Sequence, residues 1–322
     1  MAFRHDLEAH RGKLQDIRSI MHSMKTLANM ETHKLEKRIL AQQSIANHII
    51  SMATDFLSSY PQARPTALNE PANQIVLLIG SERGFCGDFN GQIWQKFQTD
   101  FAQKSQTLNA TGSEHKSGHK KTHKSEPDNP TQVIAMGSKL QTLLSSVVRA
   151  EYDESQSNVY YLQGADVTEE IAHVVESIAL TLNDLQTSHD PSQPLALFAI
   201  YHDQAQQKVL TQQLLPPFAE LVESSGNQDS KPSKKAVSAE PILNLNPVDF
   251  YLELTEQFIG HSLQCILTNS LMAENQSRIQ HLENATRHLD KKTAELLIKS
   301  NALRQEEIIE EIEIILLNQS NG

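Results

Sequence analysis

Cysteine is nearly absent. Cys86 and Cys265 are the only two in 322 residues. They lie far apart in sequence, so there is no disulfide framework and a reducing compartment is the simpler setting. Glycine and proline are sparse too, twelve of each, which favours long helices over many tight turns. Aromatic residues make up 5% of the chain against 39% hydrophobic residues in all, so the expected core is aliphatic. No apolar run approaches the roughly 20 residues of a membrane span. The opening Met1-Ala2-Phe3-Arg4-His5-Asp6 lacks the apolar stretch of a signal peptide. Membrane association is therefore expected to be peripheral. An excess of positive charge is also missing. The formal net charge is −11, which repels nucleic-acid phosphates, so no nucleic-acid partner is expected. The length is enough for one large domain or two smaller ones.

What the chain does have is two very long helical patterns. Between Lys13 and Tyr60 there is neither proline nor glycine. Leu14, Ile17, Met21, Met24 and Ala28 step by three and four, the spacing of a coiled-coil seam. The stripe then drifts through Leu35, Ile39, Ile45, Ile49, Met52 and Phe56, and Pro61 and Pro65 end it. At 1.5 Å per residue such a helix is roughly 80 Å long. The other end mirrors this. From Val248 to Leu317 there is no proline, and Leu282, Leu289, Leu296 and Leu303 recur every seven residues. Thr286, Thr293 and Ser300 stand between them. Small polar residues there suit a close antiparallel partner helix better than a strong parallel zipper. The first helix is the obvious partner.

The middle of the chain alternates. Strands are expected at Ile75–Ile79, Gln132–Ala135, Val159–Leu162, Leu195–Tyr201 and Gln207–Leu215. Helices are expected at Asn90–Ala102, Ser138–Val148 and Thr168–Leu185. That order implies an α/β layer with a largely parallel sheet. Segments 104–130 and 223–241 are polar and nearly devoid of apolar residues, and are expected to be unfolded insertions. The expected domains are a helix at 1–60, an α/β domain at 70–222 interrupted at 104–130, a linker at 223–245 and a second helix at 246–322.

The stretch "IGSERGFCGDFNGQIW" follows the first strand and opens a helix, the layout of many phosphate sites. It fails the tests for one. No Lys-Ser or Lys-Thr follows Gly84 or Gly87, as a P-loop requires. The glycines at 80, 84, 87 and 91 do not make G-x-G-x-x-G. Arg83 remains available to an anion and Asp88 to the helix N-terminus, but Gly80, Arg83, Gly84, Cys86 and Gly87 read as a structural turn, with Cys86 a buried small residue. His115, His119 and His123 are spaced for metal ligation on a helix, yet Gly112, Gly118 and the neighbouring lysines point to a basic loop, so no metal site is expected. No Ser/His/Asp arrangement or paired-carboxylate motif appears. Near the C-terminus, Glu306, Glu307, Glu310, Glu311 and Glu313 oppose the helix macrodipole. Ile308, Ile309, Ile312, Ile314 and Ile315 spread round the same helix, which fits partial enclosure by something else.

These residues together resemble a known family. "SLMAENQSRIQHLENATRHLDKKTAELLIKSNALRQEEIIEEIEII" follows the closing pattern of the γ subunit of F-type ATP synthases. The match includes Ala273, Glu274 and Arg278, Ala285-Thr286, Asn301, Arg304-Gln305, Ile308, Glu311 and Ile315. Ile17, Lys25, Leu27, Lys34, Leu35 and Lys37 fall on the family's opening pattern. "SERGFCGDFN" is similar to its S-D-R-G-L-C-G-x-L-N turn, and "QQLLPP" to the Q-L-L-P element after its last strand. Departures lie at Met21, His22 and Glu31, at Leu316-Leu317-Asn318, and in the His/Lys-rich insertion, which has no cysteine pair for a thiol switch. These departures resemble the alternate bacterial F-type enzymes, some thought to move sodium.

The resemblance implies a fold and a role. The fold is a long antiparallel coiled coil of the terminal helices plus a Rossmann-like α/β domain that binds no nucleotide and no cofactor. The role is a rotor shaft coupling ion flow to ATP synthesis or hydrolysis in other subunits, with no catalytic residue of its own. Implied partners are the α and β subunits, the ε subunit and the membrane c-ring, at the cytoplasmic face of a bacterial inner membrane. Lys25, Leu27, Arg304 and Gln305 match positions that contact the catalytic subunits. Two other classes stay open on the residues alone: a coiled-coil scaffold with an α/β head and no role in ATP turnover, and an anion-binding enzyme built on Arg83 and the glycine turn.

Overall fold

The computed structural model describes residues 2–63, 73–102, 131–151, 159–187, 195–218 and 243–320. The insertions expected at 104–130 and 223–241, with His115, His119 and His123, lie outside the described residues. The chain forms two compact units, one of residues 1–30 with 275–322 and one of residues 31–274.

Two helices run through both units. Helix α1 spans Ala2–Ser59. The other, α5, spans Pro247–Ser320. Its start is written in Asn246-Pro247-Val248-Asp249. The Asn246 side chain accepts from the Val248 amide at 3.2 Å, proline occupies the first helical position, and Asp249 sits in the first turn. Gly260 does not break the helix.

In the first unit the helix ends pair antiparallel and in register. Glu8 meets Ser300, Arg18 meets Asp290 at 2.5 Å, and Lys25 meets Glu283 at 3.6 Å. As one number climbs from 8 to 18 to 25, its partner falls from 300 to 290 to 283. Leu282 is fully buried and Leu296 nearly so, while Thr286, Leu289, Thr293, Ser300 and Leu303 also turn inward. Leu14, Met21, Met24 and Ala28 supply the facing stripe. Ile17 does not, being 42% exposed. At its level Arg18 bonds across the pair to Asp290 instead.

The second unit is layered. Strand β1 is Asn73–Ile79, β2 Gln132–Met136, β3 Val159–Leu162, β4 Leu195–Asp203 and β5 Lys208–Leu215. Their spatial order is β3-β2-β1-β4-β5. The first four are parallel, and β5 returns antiparallel on β4 with a register shift at Leu197/Phe198. Helix α2, Phe89–Phe97, runs on through a π turn at Gln98–Ala102. Helix α3 is Ser138–Glu151, and α4 is Ile171–Thr187 after a 3-10 turn at Thr168–Glu170.

The central strands are continuous apolar runs because both their faces are covered. Ile75, Leu77, Ile134, Met136, Leu197 and Ala199 point to one side, against α4 and the α5 residues Leu263, Ile266, Leu267 and Leu271. Val76, Leu78, Val133, Ala135 and Ile200 point to the other, against Phe89, Ile93, Leu140 and Leu144. On α1, Leu35 and Phe56 are buried as their spacing predicts, but Ile45 and Met52 are exposed. Ala46 and Ala53 take the inward positions in their place. Ala53 lies in a further cluster with Phe56, Phe218, Tyr251 and Leu254, where a small side chain lets the packed elements approach closely.

A side chain on α1 caps the α4 region. The Glu31 carboxylate accepts from the Thr168 amide at 3.2 Å and its hydroxyl at 3.0 Å, and Lys34 donates to the other oxygen at 2.8 Å. Arg38 donates to the Thr168 carbonyl at 3.1 Å. Burial pushes the Glu31 carboxyl up, but Lys34 and the two Thr168 donors outweigh it and hold it below the usual carboxylate range. A depressed carboxyl stabilises the fold above its unfolded pKa, and that contribution is lost as pH falls through the folded value. Glu31→Gln should therefore cost about 1–2 kcal/mol at pH 7. The gap from wild type in urea titrations should close below about pH 4.5; a gap that stays constant down to pH 3 would show that charge is not the cause.

Candidate functional site

The carboxyl ends of parallel strands are where doubly wound sheets hold ligands, at the point where strand order reverses. Here that point lies between β1 and β4, beside Gly80. At the end of β1 the chain's own groups bond to one another. Gly80 donates to the Met136 carbonyl at 3.0 Å, and a Cβ on it would lie 2.4 Å from Leu140 Cβ. The Ser81 amide donates to Asn90 Oδ1 at 2.9 Å, and Asn90 Nδ2 returns a bond to Ser81 Oγ at 2.9 Å. The Cys86 thiol donates to the same hydroxyl at 3.3 Å and is buried. His202, at the end of β4, stacks on Phe89 with ring centroids 3.8 Å apart and donates Nε2–H to the Phe89 carbonyl at 2.9 Å. Burial lowers its pKa against the opposing pull of that carbonyl, favouring the neutral ring.

Glu82 takes the place an anion would want. Its carboxylate accepts from the Ser138 amide at the start of α3 at 3.1 Å, from the Ser138 hydroxyl, and from the Gly164 amide after β3 at 2.9 Å. Helix N-termini and turn amides attract negative charge, and here the side chain supplies it. Arg83 is ion-paired with Asp166. Gly84 and Gly87 lie on the rim, where Phe85 and Gly87 both take a φ of 64°. Asp88 stands at the N-cap position of α2 but makes no side-chain cap bond. We expect Glu82→Ala to lower unfolding free energy by about 2 kcal/mol, read as a shifted urea midpoint at unchanged slope. A loss under about 0.5 kcal/mol, the surface-substitution range, would mean water replaces the carboxylate without penalty.

The glycine turn thus comes together as one hydrogen-bonded corner. The other four candidate residues do not converge. Lys25 pairs with Glu283, and Leu27 is 56% exposed, outside the seam. Arg304 and Gln305 are exposed on α5. At 1.5 Å per helical residue they lie about 30 Å along the pair from Glu283. Sequence inspection missed Glu82 and Ser138 as the centre of the corner, because they meet only through the parallel pairing of β1 with β2. It also missed Gly137, whose φ is +96°. Glycine directly after a buried strand was the available signal.

The chain is thus a doubly wound α/β layer inserted in sequence between two long helices, of 58 and 74 residues. A family model described as ATP synthase matches residues 5–316. The chain is 21% identical to the ATP synthase gamma chain of Mycolicibacterium gilvum (strain PYR-GCK) over 318 residues, 95% of this chain and 94% of that one. It is 35% identical to the ATP synthase gamma chain of Campylobacter concisus (strain 13826) over 91 residues, 26% of this chain and 31% of that one. Its fold is similar to a chain in the central stalk and c-ring structure of the Tetrahymena thermophila mitochondrial ATP synthase. The TM-score is 0.50 at 17% identity, covering 83% of this chain and 99% of that one.

The chain belongs to the ATP synthase γ-subunit family.

Proposed function

We propose that the chain is a central rotor shaft, has no catalytic site of its own and works by presenting a different face to each catalytic subunit as it turns. The observation that carries this is the C-terminal end of α5. Ile308, Ile309, Ile312, Ile314, Ile315, Leu316 and Leu317 are all exposed, on every side of the helix. Apolar residues all round a helix call for enclosure. A sleeve formed by α and β subunits supplies it without gripping one face. Lys25, Leu27, Arg304 and Gln305 are the contacts with the catalytic subunits in this proposal, at two levels of the shaft. Rotation then biases each site in turn between states of different nucleotide affinity, which is what coupling requires.

The α/β domain, placed at 70–222, is the part that meets the ε subunit and the c-ring. Among the described residues no helix is long and apolar enough to cross a membrane. Attachment through the complex, at the cytoplasmic face of a bacterial inner membrane, fits that. The departures at Met21, His22, Glu31 and Leu316–Asn318 favour the alternate bacterial type.

Reconstitution tests the proposal. The chain mixed with α and β subunits from the same source should give one larger complex whose ATP hydrolysis depends on it. Assembly without any change in hydrolysis would favour a scaffold. Equilibrium dialysis should detect no tight ATP binding to the chain alone, since Glu82 and Asp166 occupy the donors an anion would use.

A further inference from the structure

Away from the strand ends, the second unit holds a cavity of about 160 Å³ where α1, α5 and the β4–β5 hairpin meet. Ile49 and Ile50 on α1 and Phe258 and Ile266 on α5 form apolar walls. Tyr201, Gln212, Ser262 and Asn269 form a polar margin. No carboxylate, ammonium or guanidinium lines it.

The hydrogen-bonding capacity of the margin is partly committed. The Tyr201 hydroxyl donates to Gln212 Oε1 at 3.1 Å, which leaves the Gln212 amide hydrogens and a Tyr201 lone pair. His261 donates Nε2–H to the Gln42 carbonyl at 3.0 Å. Cys265 lies 3.4 Å from that nitrogen, and burial pushes its thiol up to about 11, so it stays protonated. Burial likewise pushes the Tyr201 phenol up to about 12. The Cys265 thiol and the Tyr201 phenol are thus neutral at pH 7. An ion moved into such a place would lose hydration with no carboxylate, ammonium or guanidinium to meet it. A purely apolar guest would leave the Gln212 and Asn269 amides without a partner on that side. A cavity of about 150 Å³ accepts a single benzene-sized ring.

We propose that this cavity is a binding site for a small neutral ring compound carrying one hydroxyl group, of the size of phenol. The ring packs on Ile49, Ile50 and Ile266, and the hydroxyl exchanges hydrogen bonds with the amide margin. Occupancy ties α1, α5 and the sheet edge together within the unit. A seven-heavy-atom ligand gives a dissociation constant of about 10 µM to 1 mM.

The test uses the full chain and phenol. At about ten times its dissociation constant, phenol should raise the thermal midpoint by about 3–5 °C. Benzoate, similar in size but charged, should leave the midpoint unchanged. In the unmodified protein, the ring protons of phenol should show intermolecular NOEs to the methyl groups of Ile49, Ile50 and Ile266. Ala46→Leu on α1 and Cys265→Met on α5, which enlarge lining side chains, should each abolish the phenol shift. Equal shifts with benzoate, fillers that still respond, or no NOEs at saturating phenol would each overturn the proposal. The NOE measurement decides the matter even if neither filler folds.

Discussion

Gly137→Ala is expected to cost about 3–4 kcal/mol, among the largest losses a single methyl can cause in this protein. The residue sits between the end of β2 and the start of α3, with a φ of +96° that L side chains rarely adopt. A Cβ there would lie 2.7 Å from the Ser81 carbonyl oxygen and 2.9 Å from the Gly80 carbonyl carbon. Both are backbone atoms of the corner itself, so neither swings aside as a side chain would. Relief requires β1 and β2 to separate at their carboxyl ends, which breaks the Gly80 bond to Met136 and the Lys139 bond to Ser81. Urea unfolding followed by circular dichroism gives the cost. Gly84→Ala is the matched control. Its Cβ would meet only Lys139 Cε, at 3.8 Å, and it should change stability by less than about 0.5 kcal/mol. Equal effects at the two positions would show that general loop stiffening, and not the Gly137 geometry, sets the cost.

The second large effect concerns function. The double change Arg304→Ala with Gln305→Ala should lower coupled ATP synthesis by about tenfold or more, the scale of losing one buried interface arginine. Stability should hardly move. Both side chains are exposed, and neither makes a hydrogen bond or ion pair among the described residues. That combination is what separates a contact residue from a packing residue. Thermal midpoint of the isolated chain and synthesis rate of the assembled enzyme should be measured on the same preparation. Unchanged synthesis in an assembled enzyme would remove Arg304 and Gln305 from the contact surface. A matched fall in midpoint and synthesis would instead make them structural.

The parts of the fold legible in sequence were those where one face decides the pattern. Leu282, Leu296 and the Thr286 and Thr293 layers read correctly because a two-helix seam has a single buried line, and seven-residue spacing records it. The three central strands were legible because their apolar runs are buried on both faces; β3 and β5 are half-exposed edge strands. On α1 the rule weakened. Ile17, Ile45 and Met52 are large and apolar, and spacing placed them inward, yet they are exposed while Ala46 and Ala53 face in. Side-chain size gave the wrong ranking because close approach of packed elements selects the small residue. The glycine turn was read as structural from its missing lysine and wrong glycine spacing, and in the fold it forms a hydrogen-bonded corner. Its organising group, Glu82, was invisible, since its three donors lie 56 and 82 positions away. Asp88 held the right position for a cap and forms no such bond, because N-cap preference fixes residue type and not rotamer.

The composition of the first unit governs when the molecule can be finished during synthesis. Its two halves are separated by the whole of residues 31–274. On a ribosome adding roughly 5–20 residues per second, the segment ending at Met30 waits on the order of 10–50 s for its partner helix. Throughout that wait Leu14, Met21 and Met24 face solvent or a temporary guard, while the residues that pair Arg18 and Lys25 do not yet exist. The α/β layer, whose contacts close within residues 31–274, can mature meanwhile. Unit one is therefore assembled after the α/β layer, by residues 275–322 folding back on residues 1–30, and any chaperone that attends this protein has its client stretch within residues 1–30.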